Sequence, residues 1–135
     1  MTRRLLVVAA ITLVGWLGLA LPASAHPLGN FSVNQYDGLV VSSDAVHITH
    51  VIDLAEIPTV QTLPDIDVNS DRTQSVTELD SFADRRCAAD AAGVDLTVGG
   101  NQVALRTVEA SAVLADGQAG LRTLRVSCDL RGAVS

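Results

Sequence analysis

Two carboxylates and an amide alternate along Asp67-Val68-Asn69-Ser70-Asp71, and Thr73, Ser75 and Glu78 follow at the seventh, ninth and twelfth places counted from Asp67. This is the register of the EF-hand calcium loop. Calcium is a hard cation that takes six to eight oxygens at roughly 2.3–2.6 Å, and short side chains alternating along a tight turn can converge on it. Glu78, one turn into a following helix, would close the far side of such a site with both carboxylate oxygens. Two places depart from the pattern: Arg72 is sixth, where glycine meets the need for a left-handed backbone, and Gln74 is eighth, where an aliphatic residue is usual. Pro64 is expected to interrupt any helix that enters the loop. Ser75 and Glu78 also form a capping box, so a solvated acidic turn before an ordinary helix explains that pair without calcium.

His26 is the second candidate. Removal of a leader ending at Ala25 would place a free amine and an imidazole on one residue, a pair that chelates Cu(II) or Ni(II). The bland alternative is that His26-Pro27 merely starts an extended segment. His50 falls on an apolar strand face, where a buried, hydrogen-bonded role is expected, and His47 falls on the opposite, polar face. Three apart on a strand, the two point away from each other and do not share a metal. No Cys-x-x-Cys, Ser/His/Asp order or glycine-rich phosphate loop is present, and no catalytic residue is assigned.

The elements that must position these residues begin after residue 25. Arg3 and Arg4, an uncharged run from Leu5 to Leu21 and the small residues Ala23-Ser24-Ala25 have the order of a secretory signal peptide. Thr2-Arg3-Arg4-Leu5-Leu6 also touches the twin-arginine pattern, and both routes lead out of the cytoplasm. The apolar run is shorter than the roughly 20 residues of a spanning helix, so membrane association through an uncleaved leader is the weaker reading. Residues 26–135 are therefore expected to form one exported domain. Without Arg3 and Arg4 the chain keeps 7 Arg against 15 acids, a net charge of −8. Nucleic acid is not expected as a partner on that balance, because phosphate binding needs a basic face, whereas metal ions have the right sign.

Period-two alternation runs through Phe31–Tyr36 and Ala45–Leu54, and returns in Val94–Val98, in Val103–Val108 after a turn at Gly99-Gly100-Asn101, and in Leu121–Leu130 after an Ala-rich stretch with Asp116-Gly117. Asp37-Gly38 reads as a two-residue hairpin turn, with Leu39–Ser42 as the returning strand. Between the two groups of strands, Val76, Leu79, Ala83 and Cys87 keep helical spacing up to Gly93. The expected fold is mainly β (α+β): sandwich-like antiparallel strands with an inserted, degenerate EF-hand-like loop and one helix over about 55–93. Cys87 on the helix and Cys128 on the last strand should both face the core, which in an oxidising compartment predicts a disulfide; two buried thiols are the alternative.

A resemblance can now be stated. The start His26-Pro27-Leu28-Gly29-Asn30-Phe31-Ser32-Val33-Asn34, the segment Asp53-Leu54-Ala55-Glu56-Ile57-Pro58 with Gln61, and the Asp-rich loop leading to a helix resemble the extracytoplasmic amino-terminal region of bacterial nickel/cobalt permeases of the NicO type. The resemblance implies an exported, non-enzymatic β domain with a calcium-loop insertion, acting in metal capture or in support of a membrane permease. Calcium, nickel and cobalt are the ions it brings into view. No apolar run follows the leader, so the expectation is a truncated or separate relative that cannot transport by itself. The alternatives are a copper-binding periplasmic sandwich that uses His26, an enzyme using a histidine chelate for oxidative chemistry, and a remnant that binds nothing.

Overall fold

The computed structural model describes residues 30–134. The leader and His26 lie outside them. Four long strands form one antiparallel sheet in the order β1-β2-β6-β5: β1 Val33–Val41, β2 Ala45–Leu54, β5 Leu105–Asp116 and β6 Arg122–Ala133. Helices α1 (Glu56–Ile66) and α2 (Val76–Gly93) follow β2 and pack on one face of the sheet, α2 over β5 and β6, α1 over β6 and β2. A two-stranded hairpin, β3 Thr97–Val98 and β4 Asn101–Gln102, turns through Gly99 and Gly100, both with positive φ. The fold is mainly β and antiparallel, as the alternation implies. The layer that covers the sheet is helical rather than a second large sheet, and it holds two helices where one was expected.

The period-two pattern sets the core. Val46, Ile48 and Ile52 of β2 and Leu124, Val126, Cys128 and Leu130 of β6 all point to the helices and are buried. Their outward neighbours are mostly polar, with Thr49 donating to Asp129 and Arg125 gripping both Asp53 oxygens at 2.7 and 2.8 Å. From α2 the inward stripe is Phe82, Ala83, Cys87 and Ala91, with Leu79 partly buried. Val76, expected on that stripe, is exposed. Cys87 and Cys128 stand at disulfide distance, their Cα atoms 5.5 Å apart, and tie α2 to the centre of β6.

Two expectations need correction. Asp37-Gly38 is not a turn: β1 runs straight through it, with Asp37 opposite His50 and Gly38 opposite Thr49. The bare glycine is covered by Tyr36 on the same face, so close that a Cβ on Gly38 would lie 2.8 Å from the phenol oxygen. An aromatic laid over a strand glycine supplies the packing it lacks. The reversal comes later, at Ser42–Asp44, where the Ser42 hydroxyl donates to Asp44 and accepts from the Ala45 N–H. The second correction concerns Pro64, which lies inside α1. Near the end of a short helix it forfeits one internal hydrogen bond, and the helix still closes with the Asp67 N–H donating to the Leu63 carbonyl at 2.9 Å.

Candidate functional site

The segment between α1 and α2 is a complete helix–loop–helix, with Asp67 as the last cap of one helix and Ser75 as the first cap of the next. Its shape is made by short side chains that accept from the backbone a few residues on. Asp67 accepts from the Asp71 and Arg72 N–H groups at 3.1 and 2.8 Å. Asn69 Oδ1 accepts from the Asp71 N–H at 2.8 Å, and Asp71 Oδ1 accepts from the Thr73 N–H at 2.7 Å. These bonds fold the loop back on itself, and two residues go left-handed: Ser70 at φ 61° and Arg72 at φ 66°. Arg72 therefore adopts the conformation that its place in a calcium loop demands, in spite of its Cβ.

Glu78 closes the arrangement. It is buried although charged, and its Oε2 accepts from both the N–H and the hydroxyl of Ser75 at 3.0 and 2.8 Å. The Ser75 hydroxyl accepts in return from the Glu78 N–H, so the expected capping box is present. The Ser75 backbone N–H holds the Glu78 carboxyl below the usual glutamate range, helped by the Ser75 hydroxyl and the Asn69 N–H and opposed by burial and the Asp71 charge. Asn69 and Asp71 are thus near neighbours of the twelfth residue. Oε1 of Glu78 has no hydrogen-bond partner; among the described residues the other buried side-chain oxygen in that condition is Thr107 Oγ1, beside a β5 irregularity.

An unpartnered carboxylate oxygen in a buried position is costly unless something positive reaches it. The donor chemistry here is all oxygen, which suits calcium. Among the described residues no three His, Cys, Asp or Glu side chains already converge on one point. Asp67 and Asp71 are turned toward backbone N–H groups, and Asp71 Oδ2 accepts from the Asn69 side-chain amide at 3.0 Å. A carboxylate oxygen has more than one lone pair, so these bonds leave acceptor capacity on both residues.

Sequence reasoning missed two features. Glu56 is buried at the start of α1 and accepts from the backbone N–H groups of Asn30 at 3.0 Å and Gln118 at 2.9 Å. The Gln118 bond first, then that of Asn30, holds its carboxyl below the usual range. Glu56 thereby joins the stretch before β1 to the start of α1, and the Ile57 N–H donates to the Asn30 carbonyl beside it. Gly117 is required there, since a Cβ would fall 2.9 Å from the Glu56 side chain. The other feature is a groove of about 520 Å³ beside β1, lined by Asp37, Leu39, His50, Asp90, Asp95 and Leu96 among others. His50 Nδ1 meets Asp37 Oδ1 at 2.6 Å and Nε2 stands 3.7 Å from Asp90, which is also held by Arg86. His50 is half-buried and hydrogen-bonded, as its strand face implies, and His47 is exposed on the other face. The false turn at Asp37-Gly38 hid this cluster, because it broke the register that sets Asp37 opposite His50.

No family model, curated protein or solved structure matches this chain. No helix among the described residues is long and apolar enough to cross a membrane.

Proposed function

We propose that this chain is an exported, non-enzymatic metal-binding domain, related in design to the external domain of nickel/cobalt permeases, whose helix–loop–helix takes calcium. Glu78 Oε1, buried without a partner at the twelfth place of a loop whose sixth residue is already left-handed, carries the reading. Asp67, Asn69, Asp71 and Glu78 would supply side-chain oxygens, Thr73 its carbonyl, and Ser75 a hydroxyl or a water-mediated contact. Bound calcium would supply positive charge between two helices, so its first effect would be structural: it would fix the angle at which α1 and α2 meet the sheet. Capture of nickel or cobalt falls in this reading to the amine and imidazole of His26, and delivery to a membrane permease is the use that the permease resemblance supports.

Isothermal calorimetry of the exported protein with calcium tests the loop. The expected result is a one-to-one heat with affinity on the order of 0.1–1 mM, the weak extracellular end of the range. Glu78→Gln, which keeps the shape and removes the charge, should weaken it at least tenfold. Absence of heat in the unaltered protein, or equal affinity in Glu78→Gln, would refute the calcium reading.

A further inference from the structure

The edge of the sheet at β1 is long, and Asp37 is its single charged residue. Among the described residues nothing pairs with its outer side, and β1 has nine residues without a bulge, proline or lysine; of the usual devices that keep a sheet edge from accepting another strand it carries one, the groove-facing charge of Asp37, which repels an acidic strand and not a basic one. Its apolar side chains face water on both surfaces: Leu39 is 57% exposed, Tyr36 63%, Val40 and Val41 66%. On the helix side the end of α2 stops short of β1, and the space between them is the groove, with Leu39, Ile48, Leu96 and Leu130 as apolar lining and Asp37, Asp90 and Asp95 as the charge.

We propose that this edge and groove take up an extended segment of another polypeptide, apolar at alternate positions and carrying one lysine or arginine. The inference is independent of the calcium loop. Added strands gain affinity from main-chain hydrogen bonds and specificity from what meets their alternate side chains. Here the alternation is written on β1 itself, because Gln35, Asp37 and Leu39 share the groove face while Tyr36 and Val40 share the outer one. Asp37 spends Oδ1 on His50 but keeps its side chain 54% exposed, Asp90 lies deeper at 23%, and Asp95 is exposed but accepts from the Gln102 side-chain amide. Arg86 offsets Asp90, and of the three carboxylates Asp37 alone belongs to the edge strand, so a basic side chain on an added strand would stand directly opposite it. A directly opposed charge pair of opposite sign stabilises a strand pair and like charges destabilise it. That rule argues against a second copy as the occupant. Two β1 strands paired about their centre would set Asp37 against Asp37, β1 has no basic residue to offer, and the described chain carries 7 Arg against 15 acids.

The probe is a capped, fluorescent nine-residue peptide with valine at places one, three, seven and nine, lysine at five and threonine between, followed by anisotropy against the purified protein. Saturable binding is expected, about tenfold weaker when glutamate replaces the lysine. Asp37→Lys should reverse that order, and Leu39→Glu, a change at an exposed site, should weaken both peptides. Methylating alternate backbone nitrogens should abolish binding for one set of positions and spare the other, since only one edge of the peptide pairs. The proposal is overturned if the lysine peptide fails to saturate by about 1 mM, if lysine and glutamate peptides bind alike, or if both methylated sets bind equally. It is also overturned if sedimentation shows a dimer that the peptide does not dissociate, which would assign the edge to a second copy.

Discussion

The Asp67–Glu78 loop and the groove at β1 are both acidic and both open to solvent, yet they are built by opposite means. Every hydrogen bond that shapes the loop spans two to five residues, and it is closed by a glutamate on the next helical turn. The groove depends on partners 13 residues apart across a strand pair, Asp37 and His50, and on Asp90 from a helix far along the chain. A site made from local bonds keeps its shape if its flanking helices survive. One made from register exists only if the whole sheet has formed.

The largest test of that difference is loss of the bridge between α2 and β6. Replacing Cys87 and Cys128 together by alanine should cost about 4 kcal/mol, the chain-entropy value for closing a loop of this length. Urea unfolding of the two proteins measures it. Hydrogen exchange should show the groove wall at Ala89–Gly93 loosening before the loop bonds of Asp71 and Thr73. Loss of both together would break the distinction.

A smaller effect separates the covered and open sides of the sheet. Ile52, fully buried beneath the helices, should cost roughly 2–4 kcal/mol as Ile52→Ala. Leu39→Ala on the exposed edge should stay within about 0.5 kcal/mol. Equal losses, read from thermal unfolding, would mean that something covers β1 in solution.

The same division decides what the amino-acid sequence discloses. The Ser75–Glu78 box, the helix ending at Gly93 and the inward faces of β2 and β6 follow from short, repeated spacings, and all are found. At Asp37-Gly38 the dipeptide's turn preference gives way to the register, which the packing of Val46, Ile48 and Ile52 enforces from β2. Pro64 does not break α1, since near a helix end it removes only one bond and α1 is held by Thr59 and Ile66 in the core. Glu56 gave no signal because its partners, Asn30 and Gln118, are 26 and 62 residues away.

Acid should probe the long-range and local builds side by side. Glu56 and Glu78 both have folded pKa values below the unfolded glutamate value, near 4.3. The native state then binds fewer protons, so their contribution is present above about pH 4.3 and is lost as pH falls through the lower folded values. Glu56→Gln and Glu78→Gln should each flatten the fall of the urea midpoint between about pH 5 and 3. An unchanged slope in either variant would remove that carboxylate from the acid response.

The smallest effect belongs to Arg72→Gly. At φ 66° an arginine pays a left-handed strain of about 1–2 kcal/mol. Glycine relieves it but gives the unfolded chain about 0.5–1 kcal/mol of extra freedom, so the net gain in stability should be only about 0.5 kcal/mol. Calcium affinity should respond more than stability does. The change removes a positive charge from an acidic loop and leaves the backbone bond from residue 72 to Asp67 intact. A gain of roughly threefold to tenfold in calorimetry, diminished at high salt where exposed charges are screened, would show that Arg72 acts by repulsion. The same gain at all salt concentrations would assign it to the backbone, and no gain would mean that the sixth residue does not limit this loop.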